Sequence, residues 1–305
     1  MVENIIFPLA GLGKRFQKAG YIQTKPLIHA GSKTIIEWSL ESIQITENVN
    51  VIFVIRKDQS IRHGIDSYLK KLFPKCTLVE LDQATNGSLE TVVKAIEKLN
   101  LKGHLHIHTS DLVLPNPIKL GLPFKEETSI EAVSYTFKAN SPNYSYCKLK
   151  DGNLIEDMIE KEIISQTANI GIYSFRSIDK FINYSKKIIN NERKIKNEYY
   201  ISSVFGDLIK DGNNVRSQNV EEVHVIGTPS ELIFFTKFVI PTMNPVNIGF
   251  VSDHSGFNFK ENLIKLFKES GYSTVDYGCF SNRSCDYSDY IPIACEGLDR
   301  FEVDI

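Results

Sequence analysis

Two glycines and three cations stand close together near the start of the chain, in Ala10-Gly11-Leu12-Gly13-Lys14-Arg15-Phe16 followed by Lys25-Pro26-Leu27. Glycines at such a turn let the backbone come close to an anion, and the free N–H groups there point at anionic oxygen. Arg15 and Lys25 would add full charges, so the chemistry suggested is the holding of a polyphosphate. The spacing does not fit the nucleotide-binding P-loop. It also fails the dinucleotide fingerprint, because Phe16 takes the third glycine position. Kinase and dehydrogenase readings lose their main support.

A carboxylate, Asp111, follows the apolar run at 104–109. At the end of a parallel strand it could hold a divalent cation, or it could merely cap the turn. His104, His106 and His108 alternate just before it, and imidazoles at that spacing could converge on a transition metal. The preferred reading is three polar-tipped core residues hydrogen-bonded beneath a helix, because metal sites usually gather ligands from several elements.

The elements that must position these residues are legible as alternating patterns. Asn4–Leu9, Val49–Ile55, Cys76–Leu81 and His104–Thr109 read as strands, with helical faces at 34–45 (Ile36, Leu40, Ile43) and 87–99 (Leu89, Val92, Val93, Ile96) between them. The fold class is α/β, a Rossmann-like mixed, mostly parallel, helix-covered sheet. From about Thr128 the texture changes to strands at 131–137, 145–150 and 168–175, with a turn at Asp151-Gly152, and this reads as an acceptor-binding subregion. Helical periodicity returns at 177–190 and 199–210, and Thr228 is the expected cap of a short helix after Gly227. Pro241 and Pro245 predict an extended linker at 241–246 that closes a domain of 1–240. Beyond it, strand 246–251, helix 256–270 and strand 273–277 begin a βαβ unit in a second domain of 247–305.

The apolar runs are too short to span a bilayer, so no membrane partner is expected. The amino terminus lacks the pattern of a secretory leader, which predicts cytoplasmic residence. With 35 basic against 37 acidic residues there is no general attraction to nucleic acid, and any phosphate needs a local site. Five cysteines without a C-x-x-C pair predict reduced thiols rather than a disulfide framework or a zinc site.

Taken in order, G-x-G-x-R-F, Lys25-Pro26-Leu27, Thr85-Asn86-Gly87, Ser110-Asp111, Glu160-Lys161, Asn169-Ile170-Gly171-Ile172-Tyr173, Asn197-Glu198-Tyr199-Tyr200 and Gly227-Thr228-Pro229 resemble the sugar nucleotidyltransferase (nucleoside-diphosphate-sugar pyrophosphorylase) family across residues 4–235. The resemblance implies an enzyme that joins the nucleoside monophosphate of an NTP to a sugar 1-phosphate or similar acceptor. Pyrophosphate is released, and the product serves bacterial surface polysaccharide synthesis. It implies Mg²⁺ as cofactor. It assigns Arg15, Lys25 and Asp111 to catalysis, with Asp111 as metal ligand, and Ala10, Gly11, Gly13, Gly87 and Ser110 to the nucleotide. Gln83 lies near the implied base pocket, in an uncertain register. Glu160, Lys161, Asn169, Gly171 and Glu198 are assigned to the acceptor. A homo-oligomer remains open. One departure stands out: where many members carry a second metal carboxylate two residues before the closing Gly-Thr, this chain has Val225, with Glu222 as a substitute to consider.

Residues 249–260, Gly-Phe-Val-Ser-Asp-His-Ser-Gly-Phe-Asn-Phe-Lys, with Asp276-Tyr277-Gly278 and Asp286-Tyr287, resemble the amino-terminal part of the ribose-5-phosphate isomerase B and galactose-6-phosphate isomerase family. Asp253 and His254 match its sugar-phosphate contacts. The family's Cys-Gly-Thr-Gly loop does not follow, so the expectation is a truncated module without isomerase activity. In a longer protein such a module could couple isomerisation of a phosphosugar to its activation. A non-catalytic nucleotide-sugar binding protein is a third reading, prompted by Val225.

Overall fold

Uninterrupted β-branched and aromatic runs become interior strands because both of their faces are covered. A computed structural model describes residues 2–243, 246–300 and 303–305. Its strands are β1 (Glu3–Pro8), β2 (His29–Ala30), β3 (Lys33–Thr34), β4 (Val49–Arg56), β5 (Thr77–Leu81), β6 (His104–His108), β7 (Leu112–Val113), β8 (Ile130–Lys138), β9 (Ser145–Lys150), β10 (Leu154–Glu160), β11 (Thr167–Phe175), β12 (Asn214–Asn219), β13 (His224–Val225), β14 (Asn247–Phe250) and β15 (Ser273–Asp276). The chain divides into two compact units, Met1–Leu232 and Ile233–Ile305.

Nine strands of the first unit form one sheet in the order β5-β4-β1-β6-β11-β8-β12-β10-β9. The first four run parallel, as the sequence predicts. The remainder brings in the antiparallel pairs that make the sheet mixed, as expected. β11 lies antiparallel to both β6 and β8, and β10 lies antiparallel to β12 and β9, leaving β8–β12 as the one parallel pair there. The reason is connection length: the three-residue turn Asp151–Asn153 permits only a hairpin, whereas the early strands are separated by helical crossovers.

Alternation along β1 explains the two-sided core. Ile6 faces a cluster with Leu89, Val92, Phe181, Val204 and Phe205, drawn from helices Ser88–Leu99, Ile178–Asn190 and Ser202–Lys210. Ile5 and Phe7 face the opposite cluster with Ile36, Ile65, Leu69 and Phe124. Helix Ile35–Glu41 starts at a capping box in which Thr34 Oγ1 accepts the Glu37 N–H and Glu37 Oε2 accepts the Thr34 N–H at 2.6 Å.

The three histidines of β6 lie on the second face, packed at helix Leu122–Glu126. The His104 ring is 5.4 Å from Phe124, His106 Nδ1 bonds Ser174 Oγ at 2.6 Å, and the His108 ring stacks on Phe7 at 5.3 Å. Burial pushes His106 and His108 down to about 3, with His104 adding to the effect on His106. They are neutral core residues. Among the described residues no set of three His, Cys, Asp or Glu side chains is arranged to hold a metal. The five cysteines are free, with Cys76, Cys147 and Cys279 buried.

The predicted linker differs from the structure. Helix Pro229–Phe234 continues through a π turn, Phe235–Val239, into Ile240–Met243, so Pro241 lies in helix rather than in extended chain. The wider π turn just before it is where the ring and the missing donor are taken up. Asn244 and Pro245 of the predicted linker lie outside the described residues. In the second unit β14 and β15 pair in parallel across helix Phe257–Glu269, the predicted βαβ. Helix Ile291–Asp299 follows, and the Gly249 N–H donates to the Ile305 carbonyl at 2.7 Å beside β14.

Candidate active site

Carboxyl ends of parallel strands gather the predicted catalytic residues. β1 ends at Pro8 and the chain turns through Gly11 and Gly13; Gly13, at φ +62°, opens the short helix Lys14–Lys18, whose Phe16 is buried. A left-handed φ at Gly13 is accessible without strain because there is no Cβ. Pro26 fixes the helical turn Lys25–Leu27 that presents Lys25. Its ammonium pairs with the Asp111 carboxylate and lies 5.8 Å from the centre of the Phe16 ring.

Three contacts fix the turn bearing Asp111. The Thr109 N–H donates to the Gly171 carbonyl at 3.0 Å, the Ser110 N–H to His108 Nδ1 at 3.0 Å, and the Asp111 carbonyl accepts the Ile226 N–H at 2.7 Å. Ser110 holds φ +61°, a conformation uncommon outside glycine that persists because these bonds determine it. Gly227 lies against the carboxylate; a Cβ there would be 3.1 Å from Asp111 Oδ2.

The acceptor-side residues form a second group. Glu160 is buried, and its Oε2 accepts from Ser145 and, at 2.7 Å, from Ser202. Lys161 lies 3.4 Å from Glu160 Oε1, donates to the Asn143 carbonyl and sits 5.4 Å from the Tyr200 ring centre. It is thus no free surface lysine. Burial, then the Glu198 carboxylate, push the Tyr200 phenol well up, while Arg15 acts the other way. Tyr173 joins the two groups: burial and then Glu160 raise its phenol, with Asp111 adding to the rise. Lys25 and Asp111 meet directly, while Arg15 is exposed on the short helix Lys14–Lys18.

The architecture compares closely with solved enzymes. A nucleoside-diphosphate-sugar pyrophosphorylase from Vibrio cholerae RC9 superposes with a TM-score of 0.67 at 23% identity, covering 76% of this chain and 99% of that one. CTP:phosphocholine cytidylyltransferase from Streptococcus pneumoniae gives 0.59 at 17% identity, over 78% and 98%. The inositol-1-phosphate CTP transferase from T. maritima gives 0.56 at 14%, over 78% and 97%. The chain has the nucleotidyltransferase fold. Residues 248–305 match the family model described as Ribose/Galactose Isomerase. No match was found among the curated proteins.

Within this nucleotidyltransferase fold, Val225 pairs with Leu112 on the ribbon β7–β13, next to Asp111. Glu222, the substitute considered, lies three positions before Val225, and its Oε1 contacts His224 Nε2 at 3.2 Å. Mg²⁺ commonly binds through one or two carboxylates together with substrate phosphates and water, so Asp111 and the space beside Gly227 suit an ion arriving with the nucleotide.

Asn169 is turned inward. Its side chain donates to Ser134 Oγ at 2.8 Å and to the Ile172 carbonyl at 3.0 Å, and its Oδ1 accepts the Gly171 N–H at 2.6 Å. These bonds hold the irregularity in β11 that brings Gly171 to Thr109. Gln83 is exposed and lines a groove of about 420 Å³ with Glu80, Asp82, Lys94 and Lys98, outside edge strand β5. In the second unit Asp253 Oδ1 accepts the Gly256 N–H at 2.9 Å, and His254 Nδ1 contacts the Cys285 backbone, 3.3 Å from its amide nitrogen.

Gly87 ties the loop before helix Ser88–Leu99 to Tyr199. It adopts φ +121°, and an added Cβ would lie 2.5 Å from the Tyr199 carbonyl oxygen. The Tyr199 N–H reaches the Asn86 carbonyl at 2.6 Å, and the Leu89 N–H returns to the Tyr199 carbonyl at 3.2 Å. Gly87→Ala is expected to lose these bonds and cost about 1–3 kcal/mol from the backbone conformation alone. A thermal melt of the variant that overlays the parent would refute that account.

Proposed function

We propose that the chain transfers a nucleoside monophosphate from an NTP to a phosphorylated sugar or sugar-like acceptor. The observation that carries this reading is the Lys25–Asp111 pair beside a glycine turn at the ends of β1 and β6. An acceptor phosphate oxygen forms a bond to the α-phosphorus, the α–β phosphoanhydride breaks, and the electron pair leaves with pyrophosphate. No proton need move, so the protein's work is positioning and charge neutralisation.

The amides of the glycine turn and Arg15 bind the triphosphate, and Lys25 exchanges its carboxylate partner for phosphate oxygen. Lys161, held between Asn143, Glu160 and Tyr200, orients the acceptor phosphate; Glu198 takes a hydroxyl. Asp111 would hold Mg²⁺, which when bound neutralises charge on the phosphates. The product is an activated building block suited to surface polysaccharide synthesis.

Incubating the protein with each of the four NTPs, Mg²⁺ and a panel of sugar 1-phosphates, inositol phosphate and phosphocholine should release pyrophosphate for at least one pair. Silence across that panel would overturn transfer. Val225 favours one other reading, a non-catalytic binder of nucleotide-sugars, which predicts calorimetric binding of product nucleotides without turnover.

A further inference from the structure

Both halves of the proposed phosphate site are fastened from behind by one tetrapeptide, Arg56-Lys57-Asp58-Gln59, at the end of β4. Arg56 Nη1 donates to the Ala10 carbonyl at 2.8 Å and to the Gly11 carbonyl at 2.7 Å. Gln59 Nε2 donates to the Leu9 carbonyl at 3.2 Å and to Thr24 Oγ1 at 2.6 Å, next to Lys25. The Gln59 side chain also braces the Arg56 backbone: its Oε1 accepts the Arg56 main-chain N–H at 2.8 Å. Asp58 takes the guanidinium at Nε and Nη2 at 2.8 and 3.2 Å. Arg56 is 6% exposed and Gln59 0%, so neither is a casual surface contact.

The direction of these bonds matters. In a trans peptide the C=O and the following N–H point opposite ways. With the carbonyls of Leu9, Ala10 and Gly11 drawn towards Arg56 and Gln59, the N–H groups of Ala10, Gly11 and Leu12 face the other side. Among the described residues no protein acceptor takes those amides. Successive unpaired amides of this kind form an anion-binding concavity.

We propose that Arg56 and Gln59 are positioning residues that set the donor-phosphate site by pinning the loop carbonyls and Thr24, so that the loop amides and Lys25 converge on one polyphosphate. The inference rests on the nucleotidyl-transfer reading. It adds that Arg56 and Gln59, buried and touching no substrate, set affinity for the donor and not for the acceptor.

Calorimetric titration with inorganic tripolyphosphate tests this without knowledge of the base, using the full chain and its Arg56→Met, Arg56→Lys and Gln59→Met variants. Arg56→Met is expected to weaken binding on the order of tenfold or more, by loss of charge-assisted bonds. Arg56→Lys should recover part of that loss, because an ammonium can still reach a carbonyl. In turnover assays the KM for NTP should rise while the KM for the acceptor stays. Should Arg56→Met fail to fold, Gln59→Met, close in volume and lacking only the amide, carries the test through a several-fold loss. Folded variants that bind tripolyphosphate as the parent does would overturn the inference alone. A parent protein that binds neither tripolyphosphate nor any NTP would overturn the transfer reading with it.

Discussion

Asp111→Asn and Lys25→Met should each lower pyrophosphate release by about 10²–10³-fold or more while leaving the fold almost as stable as before. The activity loss follows from the reaction: charge builds on the phosphates, and removing one preorganised electrostatic partner from such a site costs about that factor. The small stability loss follows from exposure. The Asp111 side chain is 44% exposed and that of Lys25 20%, so their ion pair lies mostly within reach of water and contributes about 0–1 kcal/mol. Lys25→Met should also raise the KM for the nucleotide, because that side chain binds the ground state too. Rates, KM values and thermal melts of the two variants check this. Wild-type turnover in either one would remove that residue from the catalytic machinery.

Acid should begin to destabilise the first unit before its carboxylates titrate. His106 and His108 are held near about 3 by burial, against about 6.5 in an unfolded chain. Above pH 6.5 both states are neutral at these positions and the histidines make no difference. As pH falls below 6.5 the unfolded chain takes up two protons that the folded one refuses, so stability drops by about 1.4 kcal/mol per pH unit for each histidine until about pH 3. At pH 5 that is an upper bound of about 4 kcal/mol, a large share of the 5–15 kcal/mol typical of a domain. Burial raises Glu37 and Glu90, but bonds from Thr34 to Glu37 and from Lys94 and Asn86 to Glu90 outweigh it and hold both below their ordinary range. Their contributions are lost only at lower pH, which leaves pH 5–6.5 to the imidazoles. Urea melts at half-unit intervals should slope accordingly, and a His106→Gln, His108→Gln double variant should flatten the slope. An equal slope in the double variant would assign the acid sensitivity elsewhere.

The sequence made the parallel half of the sheet legible because strands such as Val49–Arg56 carry six successive buried residues, a pattern that only a twice-covered strand produces. β12 escaped notice for the opposite reason. Asn-Val-Arg-Ser-Gln-Asn has one aliphatic residue, and the strand exists because β8 and β10 flank it. Helix Ile291–Asp299 carries only a faint local signal, Pro292 in its first turn. At the site, Lys25 and Asp111 could be paired in expectation since each stands beside a recognisable motif. Glu160 could not be read as buried, because its neutralising hydroxyls come from Ser145 and Ser202, distant along the chain. Arg56 and Gln59 resembled an ordinary polar strand end, and only the tertiary course of β1 beside β4 brings the glycine turn to them.

Strand direction reverses between β6 and β11, and that seam has an evolutionary corollary. Everything proposed to read the donor's triphosphate precedes it in the chain, and nearly everything proposed to read the acceptor follows. The two preferences are therefore written in separate stretches of gene. Drift or recombination in residues 139–200 can alter which molecule receives the nucleotide while the choice of nucleotide is inherited unchanged.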